Sequence, residues 1–180
     1  MNLYGFANGD PITFSDPFGL CPKGVGGDGR TSSVDDCSQG TKNAWFRNHV
    51  HVNPHTDWRH VDRTLRDAVV RGSMLMQADY YISAGKETGH AANSLHPVGR
   101  AVDISRVDGS LMSGMDDAQK AIVGLQVLGA VVSGIPFERR SEMYSPALAL
   151  RADRTMSYDL LEEIRAAHVK PAHVHIGIGP

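Results

Sequence analysis

Two histidine-bearing segments far apart in the chain hold the residue types of a divided metal site. They are Ser94-Leu95-His96-Pro97-Val98-Gly99-Arg100-Ala101-Val102-Asp103-Ile104 and, close to the end, His173-Val174-His175-Ile176-Gly177-Ile178. Catalytic zinc takes three protein ligands from His and Asp/Glu and keeps its fourth position for water, so two imidazoles and one carboxylate are a sufficient stock. The spacing suits that use. Ala101 to Ile104 reads as a short buried strand whose period of two sends Ala101 and Asp103 to one face, Val102 and Ile104 to the other. By the same rule His173 and His175 share one face of a terminal strand that turns Val174, Ile176 and Ile178 into a core. Both imidazoles can then reach one cleft, where a zinc ion would lower the pKa of water toward neutrality and polarise a scissile carbonyl.

The elements that must position these residues alternate between helix and strand. Trp58, Val61, Leu65, Ala68, Val69 and Met76 recur at helical spacing after Asp57, which predicts an amphipathic helix over 58–77 with Asp57 as its cap. Residues 80–83 read as a strand. A second helix is expected over 115–133, capped by Ser113, with Ala121, Ile122, Leu125, Leu128 and Val132 facing the core. A third, capped by Ser157, is expected over 158–167 on Leu160, Leu161 and Ile164, before Lys170-Pro171 turns the chain into its last strand. This is an α+β order, with no internal repeat.

The pattern Ser-x-His-x-x-Gly-x-Ala-x-Asp followed by a late His-x-His resembles the zinc peptidases of the D-Ala-D-Ala carboxypeptidase and L-alanyl-D-glutamate endopeptidase group, which share a metal core with lysostaphin-type enzymes and the hedgehog domain. The match covers residues 80–104 and 172–178. The resemblance implies a small antiparallel sheet carrying a zinc site, flanked by about three helices. It also implies His96, Asp103 and His175 as metal ligands and His173 as the auxiliary histidine, with Ser94, His90 and Arg100 on the substrate side. Two departures stand out. Where many members carry Ser-Gly-Tyr-Arg, this chain has Ala84-Gly85-Lys86-Glu87, so Glu87 replaces the arginine. The glutamate that carboxypeptidase members place three residues before the late ligand is here Ala172. His173 is therefore the preferred base or oxyanion donor, with Glu87 and Glu138 as substitutes.

A second resemblance lies at the other end. Asn2-Leu3-Tyr4-Gly5-Phe6-Ala7-Asn8-Gly9-Asp10-Pro11-Ile12, then Asp16-Pro17-Phe18-Gly19-Leu20, is similar to the closing segment of the core of rearrangement-hotspot (Rhs) proteins. That family encloses a toxic C-terminal domain in a repeat-built shell and releases it by cleavage after the Asp-Pro-x-Gly-Leu motif. The resemblance implies an Rhs segment at 1–20, a linker at 21–41 and a toxin domain at 42–180, together with a cognate immunity protein.

Composition limits the alternatives. The 180 residues carry a formal charge of −2, with no basic footprint of the kind phosphate recognition demands, so no nucleic-acid partner is expected. No apolar run reaches membrane-spanning length, and the first residues lack the parts of a signal peptide, so no membrane partner is expected and export must come from elsewhere. Cys21 and Cys37 bracket a Gly/Asp/Ser-rich stretch, and their pairing is open between a disulfide and free thiols. An isolated histidine is more often structural than a ligand, and only the motif raises His96 and His175 above that reading. His90, in a loop beside the motif, is read equally as a loop residue or a substrate contact. His49-Val50-His51, with His55 and His60, is a competing histidine group that lacks an accompanying Asp motif. Met74 and Met76 read as core.

The expected function is a zinc metallopeptidase toxin tip, a carboxypeptidase or endopeptidase of peptidoglycan stem peptides, acting in the periplasm of a competing bacterium. The alternatives are a nuclease tip, suggested by the general habit of Rhs toxins, and a noncatalytic zinc module, suggested by the missing glutamate.

Overall fold

The chain is α+β. The computed structural model describes residues 37, 39–87, 94–151 and 172–180. Segment 1–20, Cys21, His90 and the helix expected over 158–167 lie outside them. The first described helix, α1 (Gln39–His49), begins inside the stretch read as linker and buries only Trp45. The Trp45 indole N–H donates to Ser73 Oγ at 2.8 Å, and that hydroxyl donates to Ala78 O at 2.6 Å, fixing α1 on the next helix. β1 (Val50–Val52) follows directly.

The helix expected over 58–77 is two pieces. Residues 58–60 form a 3₁₀ turn, and α2 runs Arg63–Met76. Asp57 makes no cap, because its carboxylate accepts from His60 Nδ1 at 2.6 Å. The cap is Asp62, whose side chain accepts from Thr64 N at 2.8 Å. Asp62 N also donates to Gly99 O at 2.7 Å, which holds the chain extended there and starts the helix five residues later than its periodicity suggests. Burial of Asp62 would raise its pKa, but the hydrogen bond and charge of Arg139, together with the Thr64 and Leu65 backbone N–H groups, hold it below the ordinary value. Arg139 bonds both Asp62 oxygens, at 3.3 and 3.0 Å, and Gly179 O at 3.1 Å, tying the start of α2 to the residue that follows the last strand.

β2 (Tyr80–Ala84), β3 (Ala101–Val107) and β4 (Ser110–Leu111) precede α3 (Asp117–Val132), and β5 (Arg140–Ser145), β6 (Leu148–Arg151) and β7 (Val174–Ile178) follow it. α3 is capped by Asp116 in a reciprocal pair with Gln119, not by Ser113. Its buried residues are Gly124, Val127, Leu128 and Val131, while Ile122 and Leu125, expected inside, are exposed. The seven strands make one sheet of order β1-β2-β3-β7-β5-β6, with β4 beside β3. The sheet is mixed: β1 joins β2 in parallel and every other pair is antiparallel. The core lies on one face, where Val102, Ile104, Val174, Ile176 and Ile178 meet Leu65, Val69, Val127 and Val131, all within 2 % of full burial. Met74 is fully buried in this core, and Met76 packs against its edge, its Sδ accepting from Tyr80 Oη at 2.9 Å.

Candidate metal centre

The other face of the sheet carries the site. β3 and β7 run antiparallel in the register Asp103↔His175 and Ala101↔Gly177, and β5 continues it with Tyr144↔His175 and Glu142↔Gly177. Residues opposite one another in a sheet point to the same side, so Asp103, His175, Tyr144 and Glu142 share that face while Val102, Ile104 and Ile176 share the core. The period-two reading of both motifs therefore describes what the sheet does. His173 stands just before β7, and its Nε2 lies 3.6 Å from Asp103 Oδ1, on the same side as His175.

His96 reaches the site from a turn. Its backbone N–H donates to Ser94 Oγ at 3.3 Å, Gly99 N closes onto His96 O at 2.8 Å, and Arg100 N onto Leu95 O at 2.9 Å. Arg100 O accepts from Ile178 N at 2.9 Å, which ties this turn to β7. The motif's glycine has two reasons. Gly99 is left-handed at φ +72, and a Cβ there would lie 2.1 Å from His60 O. His96 Nδ1 donates to Gly85 O at 2.7 Å, which orients the ring and turns Nε2 toward Asp103 at 3.5 Å.

Asp103 Oδ1 is thus the focus of three imidazole nitrogens: His175 Nδ1 at 2.8 Å, His96 Nε2 at 3.5 Å and His173 Nε2 at 3.6 Å. His96, Asp103 and His175 offer ligand atoms all within 4.8 Å of one another, and they are the one such His/Cys/Asp/Glu group among the described residues. Tetrahedral ligand atoms roughly 2.0–2.1 Å from a zinc ion lie about 3.4 Å apart, so the His96–Asp103 spacing already has the right size and His175 need move little. The group can hold a metal ion. Its electrostatics are those of a charged cluster buried away from water. Burial would raise the Asp103 pKa, but hydrogen bonds from His175 and His96, and the charges of His175 and His173, hold it well below the usual carboxylate range. Burial would lower that of His175, but its hydrogen bonds to Asp103 and Glu142, and the charges of both, raise it to about 9.

The remaining candidates divide. Ser94 and Arg100 hold the His96 turn through the bonds above. Glu87 accepts a short hydrogen bond from Thr56 Oγ1. Glu138 is exposed in the 3₁₀ turn before β5. The competing histidines do not assemble: His49 Nδ1 pairs with Asp79 at 2.7 Å, His51 Nε2 lies 3.9 Å from the same carboxylate, and His55 and His60 are exposed. A cavity of about 1050 Å³ between α1, the 53–60 segment and α2 contains none of the metal group.

Sequence reading missed Glu142, whose Oε2 lies 3.2 Å from His175 Nε2. It missed Tyr144 too, whose ring stacks on the His175 imidazole at 5.3 Å between centroids. Ala172, three residues before His175, is fully buried at φ +41, where a carboxylate would be stripped of water. Comparisons with family models, curated proteins and solved structures find no match for this chain.

Proposed function

We propose that residues 42–180 are a zinc-dependent peptidase that hydrolyses the peptide stems of peptidoglycan. The observation that carries this reading is the convergence of His96, Asp103 and His175, from two motifs more than 70 residues apart in the chain, into one buried group of metal-ligand size. Two imidazoles and one carboxylate leave a tetrahedral zinc one position open, the pattern of a catalytic rather than a closed structural site. Zinc supplies the Lewis acidity that polarises the scissile carbonyl and activates water.

The chain's own groups do the rest. Gly85 O fixes the orientation of His96 before substrate arrives, so that ligand needs no reorganisation at the moment of reaction. His173, whose Nε2 lies 3.6 Å from Asp103 Oδ1, is the group we assign to hydrogen-bond the developing oxyanion or carry the proton to the leaving amine. The substrate class rests on the likeness of Ser94–Asp103 and His173–His175 to the peptidoglycan zinc peptidases. The likeness of residues 1–20 to the end of an Rhs core supports a toxin tip released after Leu20, acting in the periplasm of a target cell and matched by an immunity protein.

Mass spectrometry of muropeptides tests the reading. Purified sacculi incubated with zinc-loaded protein should release shortened stems or split cross-links, and His175→Ala or chelator should abolish the change. Intact muropeptides after incubation with zinc-loaded wild type would remove the peptidoglycan reading.

A further inference from the structure

The chain places a carboxylate beside His175 by a device that its linear motifs do not contain. β5 pairs with β7 as Arg140↔Ile178 and then Glu142↔Gly177, two residues of β5 against one of β7, so Ser141 is a bulge. Regular pairing from Arg140 would set Ser141 opposite Gly177 and Glu142 opposite Ile176, which is fully buried on the core face. An unpaired carboxylate there would lose its hydration with nothing to replace it. The bulge turns Glu142 onto the metal face instead.

Gly177 completes the seat. A Cβ on it would meet Leu95 Cδ1 at 2.7 Å, Glu142 Cβ at 3.2 Å and Glu142 Oε2 at 3.4 Å. Only a residue without a side chain lets the Glu142 carboxylate lie across β7 toward His175 while Leu95, next to His96, covers the same spot. The result is a histidine held on each side: Asp103 at Nδ1, Glu142 at Nε2, the Tyr144 ring on its face and His96 edge-on at 5.2 Å.

We infer that Glu142 is a positioning residue for the metal centre, holding the Nε2–H of His175 so that Nδ1 is the nitrogen presented to the ion. The inference rests on the metal-dependent reading above. A neutral imidazole carries one proton, and a carboxylate acceptor at Nε2 keeps it on that nitrogen. The Nδ1 lone pair is then directed at the side where Asp103 Oδ1 and His96 Nε2 converge. Such outer partners commonly govern metal affinity as strongly as orientation.

Nitrogen NMR of ¹⁵N-histidine-labelled, zinc-loaded protein reads the tautomer directly: His175 should be metal-bound at Nδ1 and protonated at Nε2. Co²⁺ titration followed by its visible spectrum gives the energetic side. Glu142→Ala should bind Co²⁺ about 10- to 100-fold more weakly than wild type. Glu142→Gln, whose amide oxygen still accepts from Nε2–H, should recover most of that loss. Gly177→Ala keeps every donor but crowds the seat, and should fall between the two. Circular dichroism separates these effects from unfolding, and if Glu142→Ala does not fold, the wild-type tautomer and the Gln variant decide. Metal on His175 Nε2, Co²⁺ affinity unchanged in Glu142→Ala, or a Gln variant as weak as Ala would overturn the role of Glu142 and leave the metal centre standing. A Gln variant with wild-type affinity and no hydrolysis would also overturn it, in favour of direct proton transfer by Glu142. Wild type that takes up no metal would overturn both readings.

Discussion

Asp103 Oδ1 and His175 Nδ1 face each other at 2.8 Å across directly paired positions of β3 and β7. The contact joins residues 72 positions apart, one from each histidine motif. In the absence of a metal ion a proton bridges the two atoms, and a bound ion would take its place.

Metal stoichiometry is the first consequence. Single Ala variants of His96, Asp103 and His175 should each lose stoichiometric zinc, because a three-ligand site reduced to two holds the ion poorly. His49→Ala and His51→Ala should keep it, since that pair faces Asp79 outside the group. Elemental analysis of the purified variants checks this. Zinc retained in all three of the first set, or lost in the second, would refute the ligand assignment.

Protonation gives the second. In chelator-treated protein, His175 is raised to about 9 from 6.5, so its contribution to stability is complete below 6.5 and is lost as pH rises through about 9. Asp103 is lowered from 3.8, so its contribution is complete above that value and is lost as pH falls. The melting temperature of the metal-free protein should therefore decline above about pH 6.5 and again in acid. His175→Gln should flatten both arms. Zinc must displace the proton on His175, so the stabilisation by zinc should grow as pH rises toward 9. Thermal scans with and without chelator measure all of this, and a metal-free melting temperature that climbs between pH 6.5 and 9 would sink the account.

How much of this was legible in the sequence follows from how local each feature is. Asp103 and His175 were readable because a strand's period of two needs only neighbouring residues, and the Val and Ile positions announce which face is core. Glu142 was not. Its placement depends on a bulge at Ser141 and on pairing with a strand more than 30 residues away, neither of which leaves a local pattern. α3 was found with Leu128 inside as expected, but Ile122 and Leu125 were misplaced, because Ala121, Ile122, Val123, Leu125, Val127, Leu128, Val131 and Val132 surround the helix and the 3.6-residue period selects no side. α1 went unread because it is mostly polar and buries one residue. The start of α2 was misplaced by a tertiary bond, Asp62 N to Gly99 O, that no periodicity encodes.

Gly99 yields a third prediction. Gly99→Ala would put a side chain into a left-handed conformation at a cost of about 1–2 kcal/mol. Its Cβ would also press on the His60 carbonyl, 2.1 Å away. Gly109→Ala is the control, since Gly109 has a similar φ of +74 and nothing within 4 Å of an added Cβ. Denaturant unfolding should show Gly99→Ala as the more destabilised by at least about 1 kcal/mol, together with weakened metal binding through the displaced His96 turn. Equal losses in the two variants would mean that the turn does not rest on His60.

The last prediction concerns the compartment of action. A peptidase of stem peptides meets its substrate only outside the cytoplasmic membrane. The domain should therefore kill when fused to a periplasmic export signal and be weak or harmless when made in the cytoplasm, whereas a nuclease would show the reverse. His175→Ala should abolish periplasmic killing, because it removes one of the three ligands. It should do so without unfolding the domain. The strand that carries His175 is anchored by Val174, Ile176 and Ile178, all fully buried. Each of these side chains contributes about 1.5–3 kcal/mol by leaving water. The deleted imidazole lies on the opposite face of the sheet, where its loss leaves that core untouched. Viable counts after induction, with circular dichroism of the purified variant, test both halves. Equal killing from the cytoplasm would refute the peptidoglycan reading and point to a cytosolic target, and undiminished periplasmic killing by a folded His175→Ala would refute its dependence on the metal centre.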